Sequence, residues 1–253
     1  MTLKFNAKTH RYWLDGKPIP GVTGLIKGGI PAPALTYWSA RTVAEYVADN
    51  AEHVEQLRVM GRGPMVAALK EVPWQARDEA AIRGTDVHAL AERLVHGDEV
   101  DVPEHLADHV EGYVRWLDTW QPTVVLTEQS VANSTHWYAG RFGLIADIAA
   151  TRWLLDVKTA KGVYGENALQ CDAYRNAEFY VSDDDPDTHL PMPEGIERLG
   201  VIHVTAAGSQ LIPLDSSGAP FRDFLHAAWI ARREKDIKGY VGQPLDAPEG
   251  ITA

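Results

Sequence analysis

The segment Gly140 to Tyr174, GRFGLIADIAATRWLLDVKTAKGVYGENALQCDAY, constrains this chain more than any other. Two runs rich in Ile, Leu, Trp and Val, Phe142 to Ala149 and Trp153 to Thr159, flank a short polar turn and predict an antiparallel hairpin. Side chains alternate along a strand, so Asp156 and Lys158 share one face while Leu155 and Val157 take the other. A carboxylate and an ammonium therefore stand on an otherwise apolar strand. Buried charges need partners or a metal. The plain account is a salt-bridged pair at a sheet edge; the alternative is a site that uses both charges.

Composition narrows the alternatives. With 253 residues, 45% apolar and 23% charged, the chain is long enough to bury a sizeable core. No apolar run approaches the roughly 20 residues that span a bilayer, and no signal peptide opens the chain, so no membrane partner is expected. The lone Cys171 excludes a disulfide framework and a four-cysteine zinc or iron–sulfur cluster, which points to the cytoplasm. A net charge of −11 argues against non-specific coating of nucleic acid. It does not exclude a local basic groove, because Gly140 to Arg175 holds five Lys/Arg against four Asp/Glu.

The expected organisation is one α/β domain over 1–240, with an N-terminal hairpin and helical addition in 1–75, a core in 76–236 and a flexible tail in 241–253. Lys4 to Trp13 and Pro18 to Thr23 read as a hairpin turned at Asp15-Gly16, with a structural role. Gly28-Gly29 and Pro31 to Pro33 break the chain before a helix over 35–50. Short helical stretches follow over 54–60 and 65–69, interrupted by Gly61 and Gly63. A helix over 75–96 carries RGTDVH, Arg83 to His88. His88 lies one turn beyond Gly84, on a face completed by Ala81, Ala91 and Val95. A glycine inside a helix costs about 1 kcal/mol, so Gly84 predicts close approach of another backbone. His88 reads either as a hydrogen-bonded core histidine or as part of a site. Beyond it come a helix over 103–120, a strand over 123–131 bearing Glu128, the hairpin, and a helix over 166–181 with Gln170 and Tyr174 on one face. Asp183-Asp184-Asp185 lie in a Pro-rich loop over 182–195 and read as solvated. A strand pair over 199–213, turned at Ala207-Gly208, and a helix over 220–235 close the domain.

RGTDVH, then LLDVKT, then the QCDAY helix, in this order and spacing, resemble the PD-(D/E)XK nuclease superfamily, close to its RecB-type phage and CRISPR-associated exonucleases. The resemblance covers most of the chain, including the hairpin ending Ile19 to Thr23. It implies a restriction-endonuclease-like core, a central mixed sheet flanked by helices, and Mg²⁺- or Mn²⁺-dependent hydrolysis of DNA in phage or mobile-element recombination, replication or repair. The protein partners it implies are another copy of the chain or a recombination protein. It also implies that Asp156, the Val157 carbonyl and His88 bind metal, an imidazole favouring Mn²⁺. Lys158 would orient the attacking water or stabilise developing charge, with Glu128 in the same constellation. Gln170 and Tyr174 would contact the phosphate backbone or support Lys158. The family carries a further metal-binding Asp thirteen residues before the Asp of its Asp-x-Lys; here that position is Gly143. A turn near Ala150-Thr151 would set Gly143 opposite Lys158 and put Asp147 diagonal to Asp156, about 7–8 Å away. Asp147 then replaces the missing ligand, or the enzyme is weakened or inert and binds DNA or a partner, or the glycine is an introduced change.

Overall fold

A tight turn organises the first strands. In the computed structural model, which describes residues 2–182, 185 and 187–245, Leu3–Asn6 (β1), Arg11–Leu14 (β2) and Lys17–Ile19 (β3) form a three-stranded antiparallel sheet. Asp15 and Gly16 take φ of 49° and 73°, as a two-residue turn between twisted strands requires. The single strand expected over 4–13 is therefore two, broken at residues 7–10, and Val22 and Thr23 belong to the next helix.

That helix, Val22–Gly29 (α1), buries Val22, Leu25 and Ile26. Gly28 and Gly29 end it rather than precede the next helix. A Cβ on Gly29 would lie 2.0 Å from the carbonyl oxygen of Ala227, so only glycine lets α1 close on the C-terminal helix. Pro33–Asp49 (α2) and Ala51–Met60 (α3) follow, and then Arg62–Val95 (α4), 34 residues long with Pro73 inside it. The pieces expected over 65–69 and 75–96 are thus one helix. Gly61, at φ 103°, makes the break before it, and Gly63 falls in its first turn. A 3₁₀ turn, Glu104–Leu106, leads into Ala107–Trp120 (α5), which buries Val110, Tyr113 and Trp116.

The main sheet then assembles from Thr123–Asn133 (β4), Tyr138–Ile148 (β5) and Thr151–Lys158 (β6). Gly165–Arg175 (α6) crosses over to the edge strands Phe179–Val181 (β7) and Leu190–Pro191 (β8). Ile196–Thr205 (β9) and Gly208–Leu214 (β10) complete it before Ala219–Lys238 (α7). The seven-stranded order is β10-β9-β6-β5-β4-β7-β8, antiparallel except for the central β6–β9 pair. The protein is therefore α/β with a mixed central sheet flanked by helices and a small antiparallel sheet at its N-terminal end.

Two expected elements have different ends. The helix expected over 166–181 stops at Arg175, because Tyr138 Oη and Asn133 Nδ2 take up the carbonyls of Ala173 and Asn176 and residues 179–181 join β4. The closing helix runs to Lys238, and residues 246–253 lie outside the described part. Asp183 and Asp184 also lie outside it, while Asp185 is exposed.

Both faces of the sheet are covered. On one, Ile145, Leu154 and Leu199 pack against α1, α6 and α7 through Ile26, Ala173 and Phe224. On the other, Leu144, Leu155 and Ile202 pack against α4 and α5 through Val87, Ala91 and Tyr113. β1–β3 lie over Ala132, Ala139 and Phe179 at the β4–β7 end. The fully buried Asp172 ties α6 to α7 within one layer: it pairs with Arg175 and accepts the Phe221 N–H in the first turn of α7. Among the described residues no helix is long and apolar enough to cross a membrane.

Candidate functional site

The β5–β6 ladder runs from Ile148–Thr151 to Leu144–Leu155 and stops there. Beyond it β5 continues beside β4, and β6 beside β9. The turn falls on Ala149 and Ala150, at φ 47° and 64°, one residue earlier than the sequence suggests. Gly143 is therefore level with Asp156, not with Lys158. A Cβ at Gly143 would lie 3.6 Å from Asp156 Cα and 3.3 Å from the carbonyl oxygen of Leu155. That carbonyl faces β5, and strand alternation turns the Val157 carbonyl the same way, past the end of the ladder.

The same register removes Asp147 from the site. It pairs across the hairpin with Arg152, whose Nε and Nη2 donate to its two oxygens at 2.9 and 3.0 Å. Four residues of strand separate Arg152 from Asp156, about 13 Å. The Arg152 hydrogen bonds also hold the Asp147 carboxyl below its ordinary range. Asp147 is thus an end-of-hairpin ion pair rather than a stand-in for a ligand at Gly143.

Asp156 and Lys158 lie together as expected. Lys158 Nζ is 2.5 Å from Asp156 Oδ2, with side-chain exposures of 26% and 6%. Oδ2 is buried, and the Lys158 ammonium is its close charged partner. Burial pulls the Lys158 ammonium toward deprotonation, but Asp156 outweighs it and its pKa is raised. Lys158 is therefore a fixed cation.

Glu128 and His88 stand beside this pair. Glu128 Oε2 accepts from Arg141 Nε at 3.0 Å, and Oε1 is 3.8 Å from His88 Nδ1. Burial opposes a charge on His88, but Glu128 and then Asp156 prevail and raise its pKa. Its helix passes over the end of β6, with Gly84 meeting the hydroxyl of Thr159 rather than a backbone. Val87 and Ala91 bury the inner face of α4, whereas Ala81 is exposed.

Gln170 and Tyr174 lie beneath the site. Gln170 Nε2 donates to Tyr174 Oη at 3.1 Å, and the Tyr174 ring fills the space above Gly140, where a Cβ would come within 2.2 Å of it. Burial, with Asp156 adding to it, lifts the Tyr174 phenol well above its usual range. Burial does the same to the Cys171 thiol. At 3% exposure Tyr174 packs beneath the strands.

Sequence reasoning passed over Arg141, Tyr12 and Phe5. Arg141 and Asp147 are the only residues of β5 that are not buried, so a charge inside an apolar strand was the available signal for Arg141. Phe5 and Tyr12 are cross-strand partners stacked 4.8 Å apart, with the Arg141 guanidinium 5.8 Å from the Phe5 ring. Burial pushes the Tyr12 phenol up to about 12, Arg141 and Glu128 acting on it in opposite directions. The N-terminal sheet thus forms one wall of the site.

Among the described residues, no three His, Cys, Asp or Glu side chains close around one point; the carboxylates lean on Lys158 and Arg141. The donors nevertheless suit Mg²⁺ or Mn²⁺: an imidazole, the carboxylate oxygens of Glu128 and the buried Asp156, and the Val157 carbonyl. No protein-family model and no curated protein matches this chain.

Proposed function

We propose that the chain is a metal-dependent deoxyribonuclease that hydrolyses phosphodiester bonds from DNA ends, as the resemblance of its three motifs implies. The observation that carries the proposal is Asp156: a buried carboxylate, Lys158 Nζ 2.5 Å from one of its oxygens, at the point where two central strands part. A buried ion pair adds little net stability over an apolar pair at such a place, whereas a cation site uses the buried carboxylate. His88, Asp156 and the Val157 carbonyl would hold Mg²⁺ or Mn²⁺, which when bound neutralises phosphate charge and acidifies a water. Lys158, 2.5 Å from Asp156, would orient the attacking water or stabilise charge developing on the phosphate. Gln170 and Tyr174 keep the floor under both strands rigid.

Gly143 and the pairing of both carboxylates with cations favour a second reading, an inert nuclease fold that binds DNA or a partner. Incubating linear and covalently closed circular DNA with the protein and its Gly143→Asp variant, in Mn²⁺ and in EDTA, separates the two. Metal-dependent loss of linear DNA by the natural chain supports the nuclease. Activity only in Gly143→Asp supports the inert form, and no activity in either protein overturns the nuclease.

A further inference from the structure

Gly143 leaves β5 without a carboxylate beside Asp156, and the neighbouring strand reaches into that gap. Between the Thr127–Leu144 and Gln129–Phe142 pairs, Glu128 stands level with Gly143. A Cβ at Gly143 would lie 3.7 Å from Glu128 Oε1. Glu128 takes φ 47°, a left-handed conformation that costs a side chain of this type about 1–2 kcal/mol. Both strands lose their alternation at this level. Phe142 and Ile145 pack on the same face of β5, as do Leu126 and Val131 on β4, although each pair is an odd number of residues apart. The break frees Glu128 from the in-and-out order of the strand and turns its carboxylate into the site. Arg141 holds Oε2 at 3.0 Å, so Oε1 faces His88 and Gly143.

We propose that Glu128 Oε1 is a divalent-cation ligand that occupies the place of a carboxylate at position 143, with Arg141 as its positioning residue. Two carboxylates, Asp156 and Glu128, then balance the charge of a divalent ion with His88 as the nitrogen donor. The left-handed Glu128, the phase break and the burial of Asp156 beside Gly143 receive one explanation. The assignment rests on reading the site as a metal centre, but not on DNA cleavage.

Calorimetric titration with Mn²⁺ tests it, using the whole chain and the variants Glu128→Gln, Glu128→Asp, Asp156→Asn and Glu128→Gln/Gly143→Asp, each first checked by thermal melting in EDTA. Loss of a ligand lowers affinity by at least about tenfold, so Glu128→Gln and Asp156→Asn both fall by that much or more. Glu128→Asp keeps the charge but shortens the reach, and falls as well. Asp at 143 in the double variant restores binding to within a few-fold of the natural chain. Natural affinity in Glu128→Gln overturns the assignment, as does natural affinity in Glu128→Asp, which would leave Glu128 only a remote charge. A natural chain without Asp156-dependent binding overturns the assignment and the metal site together. Glu128-dependent binding in a chain that leaves DNA intact upholds the assignment and defeats the nuclease.

Discussion

Replacing Lys158 with Met keeps most of the stem and deletes the cation 2.5 Å from Asp156. At that distance and an effective dielectric of about 20, the attraction is roughly 6–7 kcal/mol. Much of it offsets the removal of both groups from water, so it is not the net worth of the pair. The variant instead measures a carboxylate, 6% exposed, left without its counter-ion. Breaking a buried pair from one side costs about 3–5 kcal/mol, and the 26% exposure of Lys158 puts the loss near the lower end, about 3 kcal/mol. For a chain of this length that is roughly 6–12 °C of melting temperature. In the natural chain, against burial, Asp156 raises the Lys158 pKa. The stabilisation is therefore fully present below the ordinary lysine range and is lost only as pH climbs through the raised value. The deficit of the variant is therefore full near about pH 8 and closes as pH climbs through that raised value. Urea unfolding in EDTA, near about pH 8 and on the alkaline side, reads this directly. Equal midpoints near about pH 8, or a deficit that widens as pH climbs, refutes the reasoning.

His88→Gln follows the same linkage at lower pH. Glu128 and Asp156 outweigh burial and raise the His88 pKa, so its stabilisation is full below the ordinary histidine value and lost as pH rises through the raised one. In EDTA the gap between His88→Gln and the natural chain is widest in acid and closes on the alkaline side; a gap that widens with pH contradicts this. Asp147→Asn leaves Mn²⁺ affinity unchanged in calorimetry, because Asp147 belongs to Arg152 at the far end of the hairpin. Gly29→Ala forces a methyl against the Ala227 backbone and costs about 2–3 kcal/mol in urea unfolding, the upper range for overpacking. A loss under about 0.5 kcal/mol would mean that α1 and α7 do not meet there.

The hairpin was legible because two runs rich in Ile, Leu, Trp and Val flank a short turn, and Asp156 and Lys158 stood out as charges on an apolar strand. Its register was not: the turn falls on Ala149 and Ala150, and two alanines in left-handed conformation carry none of the Gly or Asn signal by which such turns are read. That slip of one residue in the turn moved Gly143 by two positions along β6 and made Asp147 look like a neighbour of Asp156. Glu128 was visible as a charge on a strand, but its left-handed backbone was not, since no propensity assigns that conformation to Glu. The length of α4 was hidden by Gly61, Gly63 and Pro73, of which only Gly61 interrupts helix. The end of α6 is set by Asn133 and Tyr138 on distant strands, which no local window contains. The role of the N-terminal sheet as a wall beside Arg141 likewise depends on tertiary contact.

Crystals soaked in Mn²⁺ and examined by anomalous scattering test the site most directly. The account predicts one strong peak bounded by Asp156, the Val157 carbonyl, His88 and Glu128, absent in Asp156→Asn. A map with no peak there, or with its peak beside Asp147 at the other end of the hairpin, contradicts it.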